Sequence, residues 1–325
     1  MIPDLLRLKP FYRETIWGGK TLARGYNKTL PADQNIGEAW EVSAYEKMES
    51  IVVDGPLAGQ TLLQLVQTYA GDLLGGPVVD RYGTEFPLLI KLLDARDDLS
   101  IQVHPDDGYA RSNKLGTYGK MEAWYVLQSE QGRVAFGLQA GIDKKTFAAA
   151  VRENRISEAI RFFDVRAGDV VSVPPGTVHA LCKNVLVYEV QQSSDLTFRI
   201  FDYNRPGPDG GPRELHIDRS LEVISFGGPA SEPIYWADLP GATKEYALLV
   251  QSEQFKLERF SPPSRVDHSY LSFSALTVIE GRVDLKGPSQ SALAQKGDTF
   301  FIPANRPISA SSHDGAEYLI SSVPC

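Results

Sequence analysis

Apolar residues in this chain recur with two periods, and the strand period dominates. Over LLQLVQTYAGDLL (Leu62–Leu74) the apolar positions Leu62, Leu63, Val66, Tyr69 and Leu73 recur at helical spacing, which predicts a helix. The same spacing joins Phe147, Val151, Ile156, Ile160 and Phe163, so a second helix is predicted over 146–163 with Asp143 as its cap. A less regular stripe through Leu215, Ser220, Leu221 and Ile224 gives a third candidate over 213–224. Most of the rest reads as strand. Residues 87–93 form a continuous apolar run, suited to a strand buried on both faces. LSIQVH (99–104) alternates, so Ser100, Gln102 and His104 share one face and Leu99, Ile101 and Val103 the other. Residues 123–127, 185–190 and 197–201 are further strands.

One segment, GDVVSVPPGTVHA (168–180), combines a Gly-Asp turn, a short buried strand and a sharp Pro-Pro-Gly bend. His179 leaves that bend on the next strand, where rigid backbone can aim an imidazole inward as a metal ligand. The frame occurs twice. AQKGDTFFIP (294–303) aligns with VRAGDVVSVP (165–174), matching Gly297 with Gly168, Asp298 with Asp169 and Pro303 with Pro174. The second copy places Ile308 where the first has His179, so it reads as a structural repeat without the ligand. A stretch rich in Gly, Pro and Ala at 228–245 marks a boundary between the two.

Composition narrows the class. The chain has 325 residues, 42% hydrophobic and 23% charged, enough for one large or two ordinary domains. Its net charge of -8 argues against a nucleic-acid partner. A few local cations would still bind one phosphate. Two cysteines, Cys182 and Cys325, make neither a disulfide framework nor a zinc-finger array. Charges at Asp4, Arg7 and Lys9 interrupt any apolar leader, and no apolar run nears the ~20 residues of a membrane span. A soluble, cytoplasmic protein without a membrane partner is expected.

The polar face of LSIQVH has two readings. It is the solvent face of an edge strand, or it is an inward set of ligands. GKMEAWYVL (119–127) bears on the choice, because Glu122 opens an otherwise apolar aromatic strand and needs either water or a partner. His104, Glu122 and His179 are ligands that a divalent transition metal prefers, with Gln102 as a neutral fourth. Lys120 precedes Glu122 by two and shares its face on an extended chain. A lysine beside a dication is expected to have its pKa lowered. Arg199, bracketed by large apolar groups in DLTFRIFDY, suits a phosphate or an oxyanion. His216, His268 and His313 lie in polar surroundings and read as surface or locally hydrogen-bonded residues. Cys182 reads as a small buried group.

LSIQVHPDD, YGKMEAWYVL, VPPGTVHAL and QQSSDLTFRIFDYNR, in this order, resemble the type I phosphomannose isomerases. KPFYRETIWGGKTLA and IGEAWEVSA resemble that family's opening strands, so the likeness covers roughly the first two thirds of the chain. The connection between His104 and Glu122 is short, which resembles the short bacterial form. The resemblance implies a mainly β fold of two cupin-like (jelly-roll) β-barrels, with a few short helices packed beside the first. Residues 1–235 would form the catalytic zinc-binding domain, and 236–325 a second cupin-like domain lacking metal ligands. It implies one Zn2+ per chain on Gln102, His104, Glu122 and His179. It makes Arg199 and Lys120 catalytic, and Ser100, Lys120 and Arg199 substrate-binding. The implied reaction interconverts mannose 6-phosphate and fructose 6-phosphate through an enediol, with the sugar phosphate as the partner and no obligate protein partner. The residues alone leave two alternatives open: a metal-dependent cupin dioxygenase, or a catalytically silent sugar-phosphate-binding protein.

Overall fold

Three antiparallel sheets carry the chain, and the strands expected from apolar runs lie at their centres. The structure is a computed structural model that describes residues 2–207, 210–227 and 231–325, so the first three residues of the expected 228–245 boundary fall outside it. A seven-stranded sheet runs in the order Ile234–Tyr235, Asp169–Val173, Glu122–Ser129, Val185–Gln192, Leu88–Ala95, Phe11–Gly19 and Ile36–Val42. A five-stranded sheet follows the order Phe198–Phe201, Ile101–Val103, His179–Leu181, Arg133–Leu138 and Ile160–Asp164. The third, of nine strands, combines the C-terminal strands with Leu6–Lys9 and Ile51–Val52 from the start of the chain.

The seven-stranded sheet is the middle layer. On one side Leu93, Trp124, Val171 and Val187 pack against Phe136 and Leu181 of the five-stranded sheet. On the other, Leu92, Tyr125 and Val190 pack against Phe301 and Leu319 of the nine-stranded sheet and Leu65 of the Leu62–Leu74 helix. Burial on both faces explains why Leu88–Ala95 and Val185–Gln192 are inaccessible at every position. The few charges in them are therefore paired groups inside the protein.

The chain is mainly β, as expected; its jelly-roll layers are packed sheets rather than closed barrels, because no sheet closes on itself among the described residues. Proline is part of the reason. Asp169–Val173 belongs to the seven-stranded sheet and His179–Leu181 to the five-stranded one, with Pro174-Pro175-Gly176 between them. Proline has no N–H to extend a ladder, so the chain changes sheet at the bend. Gly176 makes the corner at φ +85 and donates its N–H to His104 O at 2.9 Å, which fixes the bend beside the Ile101–Val103 strand.

The repeated frame is also a repeat of bonds. Gly168 and Gly297 sit at φ +94 and +91, and their N–H groups donate to Val126 O and Val278 O, both at 2.8 Å. Asp169 and Asp298 each accept from the backbone N–H three residues earlier, at 2.8 and 2.9 Å.

The Leu62–Leu74 helix forms as expected, closed at its start by a reciprocal Thr61–Gln64 capping box. The predicted 146–163 helix is corrected. A helix capped by Asp143 spans Lys144–Arg152, Asn154 turns left-handed at φ +57, and only Ile156–Ala159 is helical beyond it. Ile160–Asp164 is a strand, with Phe162 and Phe163 packed on opposite faces. The third helix is shorter than expected, Ile217–Val223. Among the described residues no helix is long and apolar enough to cross a membrane.

Candidate metal centre and sugar-phosphate cavity

The proposed ligands meet where the five- and seven-stranded sheets face each other. His179 stands opposite Gln102 across one ladder, and Arg199 stands opposite Gln102 on its other side. Glu122 lies across from Val173 and Gln191 in the seven-stranded sheet. Glu122 and His179 are fully buried and His104 nearly so. One ligand atom from each of the three lies within 4.8 Å of the others. His179 Nε2 is 3.1 Å from Glu122 Oε1, and His104 Nε2 is 3.4 Å from Oε2. Gln102 adds its amide 3.2 Å from His179 Nε2.

Three features fit this set to a metal ion. The Nδ1 atoms of both histidines are used on backbone carbonyls, His104 on Leu196 O at 2.7 Å and His179 on Thr177 O at 2.9 Å. A carbonyl accepts only, so each Nδ1 carries the proton and each Nε2 presents a lone pair to the centre. Both Glu122 oxygens are buried without a hydrogen bond of proper angle, although Lys120 Nζ lies 2.7 Å from Oε2. Two imidazoles, one carboxylate and one amide are a donor set for a divalent transition metal with a position left for water or substrate.

Charge follows from the same crowding. Burial alone would raise the Glu122 carboxyl, but Lys120, His104 and His179 hold it well below the usual carboxylate range. Burial and the Lys120 charge push the His104 imidazole down to about 3 against the pull of Glu122, so it stays neutral. Burial also acts downward on Lys120, yet Glu122, Glu189 and Asp195 outweigh it and hold the ammonium above its usual value. The protein's own carboxylates thus favour the charged form of Lys120, the opposite of the effect expected from a dication.

A curated mannose-6-phosphate isomerase of Bacillus subtilis, ManA, is 40% identical to this chain over 306 residues, covering 93% of this chain and 94% of the relative. The chain belongs to the type I phosphomannose isomerase family. The model of that family's catalytic domain matches residues 5–140. A curated mannose-6-phosphate isomerase of Streptococcus mutans is 34% identical over 303 residues, 92% of each chain. A solved mannose 6-phosphate isomerase of Bacillus subtilis superposes with a TM-score of 0.89 at 32% identity, covering 99% of this chain and 100% of that one.

In this phosphomannose isomerase relative the ligand set lies below a cavity of about 740 Å3, whose wall includes Ser100, Gln102, Lys120 and Arg199. All seven residues singled out in the sequence are therefore gathered at one place. The cavity also contains charges that the sequence reading passed over. Lys91 lies 3.1 Å from Glu38 and 3.6 Å from Glu189, and Arg13 lies 3.1 Å from Asp195. Lys91 and Glu189 did leave a signal, since each is the lone charge inside an apolar run, PLLIKLL and VLVYEV. His216, read as a surface residue or a locally bonded one, is half-buried in the cavity wall. His268 is buried against Tyr318 Oη at 2.8 Å, while His313 is exposed beside Asp284. Cys182 is buried, as expected.

Proposed function

We propose that this protein is a zinc-dependent isomerase that interconverts mannose 6-phosphate and fructose 6-phosphate. The metal would be one Zn2+ held by Gln102, His104, Glu122 and His179. The observation that carries this reading is the pair of Nδ1-anchored imidazoles aimed at a carboxylate without proper hydrogen bonds, beneath a cation-bearing cavity. The names of the relatives supply the substrate, and family membership favours isomerisation over oxygenation. When bound, a zinc ion supplies Lewis acidity and order to the sugar oxygens.

The chain's own groups account for the rest. Isomerisation removes a proton from C2 and returns one to C1 through an enediol, while the proton on O2 passes to O1, so atoms and electrons balance without a co-reactant. The barrier lies in the negative charge that develops on the sugar oxygens. Lys120 is buried, charged and fixed at Glu122, so it donates hydrogen bonds to those oxygens without reorganising. Arg199 stays a cation through the reaction and faces the same cavity, which suits it to hold an oxyanion rather than to take a proton. Ser100, buried at the cavity wall, offers a hydroxyl to the substrate.

A coupled assay with several phosphorylated aldoses, run beside metal analysis, tests the reading. About one zinc per chain is expected, with activity abolished by prolonged chelation and restored by zinc. Full activity in verified metal-free protein would remove the metal from the mechanism. A metal-loaded protein that turns over no phosphorylated aldose would leave the silent binding protein or the dioxygenase.

A further inference from the structure

Lys120, whose ammonium lies 2.7 Å from Glu122 Oε2, stands on no regular element, since the Glu122–Ser129 strand begins two residues beyond it. Outside a ladder, the backbone groups of Gly119, Lys120 and Met121 need partners of their own. Lys120 N donates to Pro105 O at 2.9 Å. The residues on either side of it are held by side chains. Gly119 N donates to Asp107 Oδ1 at 2.7 Å, and Met121 N donates to Gln192 Oε1 at 2.9 Å. Gln192 Nε2 then donates to the same Asp107 oxygen at 2.9 Å, which closes a ring of bonds around Lys120. Gln192 N also donates to Met121 O at 3.1 Å.

Both members of this clamp stand on fixed backbone. Gln192 is the last residue of the central Val185–Gln192 strand and is buried. Its amide has one orientation only. A backbone N–H donates, so Oε1 faces Met121, and a carboxylate accepts, so Nε2 faces Asp107. Asp107 opens the Asp107–Ser112 helix, whose start Asp106 caps by accepting from Tyr109 N at 2.7 Å. Its other oxygen, Oδ2, faces Arg111 at 3.7 Å, so Oδ1 is left to the clamp. Gly119 seats the loop directly on the segment after His104, because a Cβ there would lie 2.4 Å from Asp106 C and 2.5 Å from Pro105 O. The clamp joins three of the sequence blocks, LSIQVHPDD, YGKMEAWYVL and QQSSDLTFRIFDYNR, and neither Asp107 nor Gln192 is in the cavity wall.

We propose that Asp107 and Gln192 are positioning residues for the isomerisation, clamping the chain on both sides of Lys120 so that its ammonium stays fixed where negative charge develops. The proposal rests on the isomerase reading above. A lysine side chain turns about several bonds, so only a fixed Cα and a fixed partner place Nζ without reorganisation. Glu122 supplies the partner and the clamp supplies the Cα. A group displaced by about 1 Å from its place costs up to about 100-fold in rate.

The test is steady-state kinetics on the zinc-loaded full chain, comparing the parent with Asp107→Ala, Asp107→Asn and Gln192→Glu, with zinc content measured alongside. Asp107→Ala removes the shared acceptor, and the isosteric Gln192→Glu sets a second carboxylate against it. In both, kcat should fall about tenfold or more while KM and zinc content hold. Asp107→Asn keeps an acceptor oxygen and should restore most of the parental kcat. Parental kcat in both Asp107→Ala and Gln192→Glu would overturn the proposal, because a merely structural role leaves turnover per folded molecule unchanged. So would a fall that Asp107→Asn shares in full, a change confined to KM, or a loss of zinc that accounts for the fall. If the parent turns over no mannose 6-phosphate, the isomerase reading fails separately, and hydrogen exchange at the Gly119 and Met121 amides decides the clamp. Faster exchange at both in Asp107→Ala than in the parent supports it, and equal exchange overturns it.

Discussion

Lys120 and a metal ion would both draw on Glu122, since the ammonium already lies 2.7 Å from Oε2 and His179 Nε2 lies 3.1 Å from Oε1. A neutral His104 imidazole and an ionised Glu122 carboxylate are protonation states that metal binding requires; burial sets the first, and Lys120 with the two histidines sets the second. That His104, Glu122 and His179 meet was legible from the polar face of LSIQVH, the lone carboxylate opening an apolar strand and the frame that carries His179. The place of His216 in the cavity wall was not legible, since it comes from a contact across 17 positions with the Arg199 backbone and from no local period. His268 shows what burial does to a histidine away from this centre. Burial pushes it down to about 4 against the pull of Glu258 and Asp267. Between its ordinary value near 6.5 and about 4, the unfolded chain binds a proton that the folded chain refuses. Stability from this residue is therefore complete above that window and is lost as pH falls through it, on the order of 3 kcal/mol in all. His268→Gln should lose less stability between pH 6 and 5 than the parent in denaturant titrations. An unchanged pH slope would refute the assignment.

The twin turns at Gly168 and Gly297 show how much an element's chemistry can depend on a few residues beyond it. Both make the same backbone bonds, yet only the first leads through Pro-Pro-Gly to a histidine. Each glycine occupies a left-handed conformation, but their surroundings differ. A Cβ on Gly297 would sit 1.9 Å from Tyr26 O, whereas on Gly168 it would meet the Tyr235 and Trp236 side chains at 2.6 and 2.8 Å. Backbone yields less than rings at a surface. Both Gly→Ala variants should lose more than ~1 kcal/mol in chemical denaturation, with Gly297→Ala the more damaged. Equal or absent losses would contradict the geometry. The Leu62–Leu74 helix was legible to the residue from its apolar spacing, and the structure closes it with the Thr61 capping box. The 146–163 stretch was misread because Ile160 and Phe163 are apolar for a sheet and happen to extend a helical stripe. Nothing short of Asn154 at φ +57 marks the break.

In the whole molecule, the two ends of the chain share one sheet. Leu6–Lys9 pairs with Thr299–Ile302 and with Ile51–Val52. Lys28 crosses the same junction, buried between Glu41 at 2.7 Å and the Gly297 carbonyl, while Thr299 donates to Glu41 at 2.9 Å. Leaving a buried carboxylate without its cation costs about 3–5 kcal/mol, so the layers are not expected to part and remain folded. Although we place the catalytic part at 1–235, that fragment expressed alone should be insoluble or unfolded. Thermal unfolding of the full chain should be a single transition, with matching calorimetric and van't Hoff enthalpies. A folded, monomeric 1–235 fragment would show that the junction is dispensable. Periodicity alone could not reveal this layout, because Leu6 and Phe301 advertise strands without naming each other as partners.

The weave of Leu6–Lys9 also sets a timetable for synthesis. Ribosomes add about 5–20 residues per second, so the first strand emerges on the order of tens of seconds before the strand it must join. During that interval Leu6 and Leu8, which end up buried, have only the two-residue Ile51–Val52 strand to pair with. The nascent chain must finish the layers that bring His104, Glu122 and His179 together while carrying an exposed apolar edge, and the later strands close over the first.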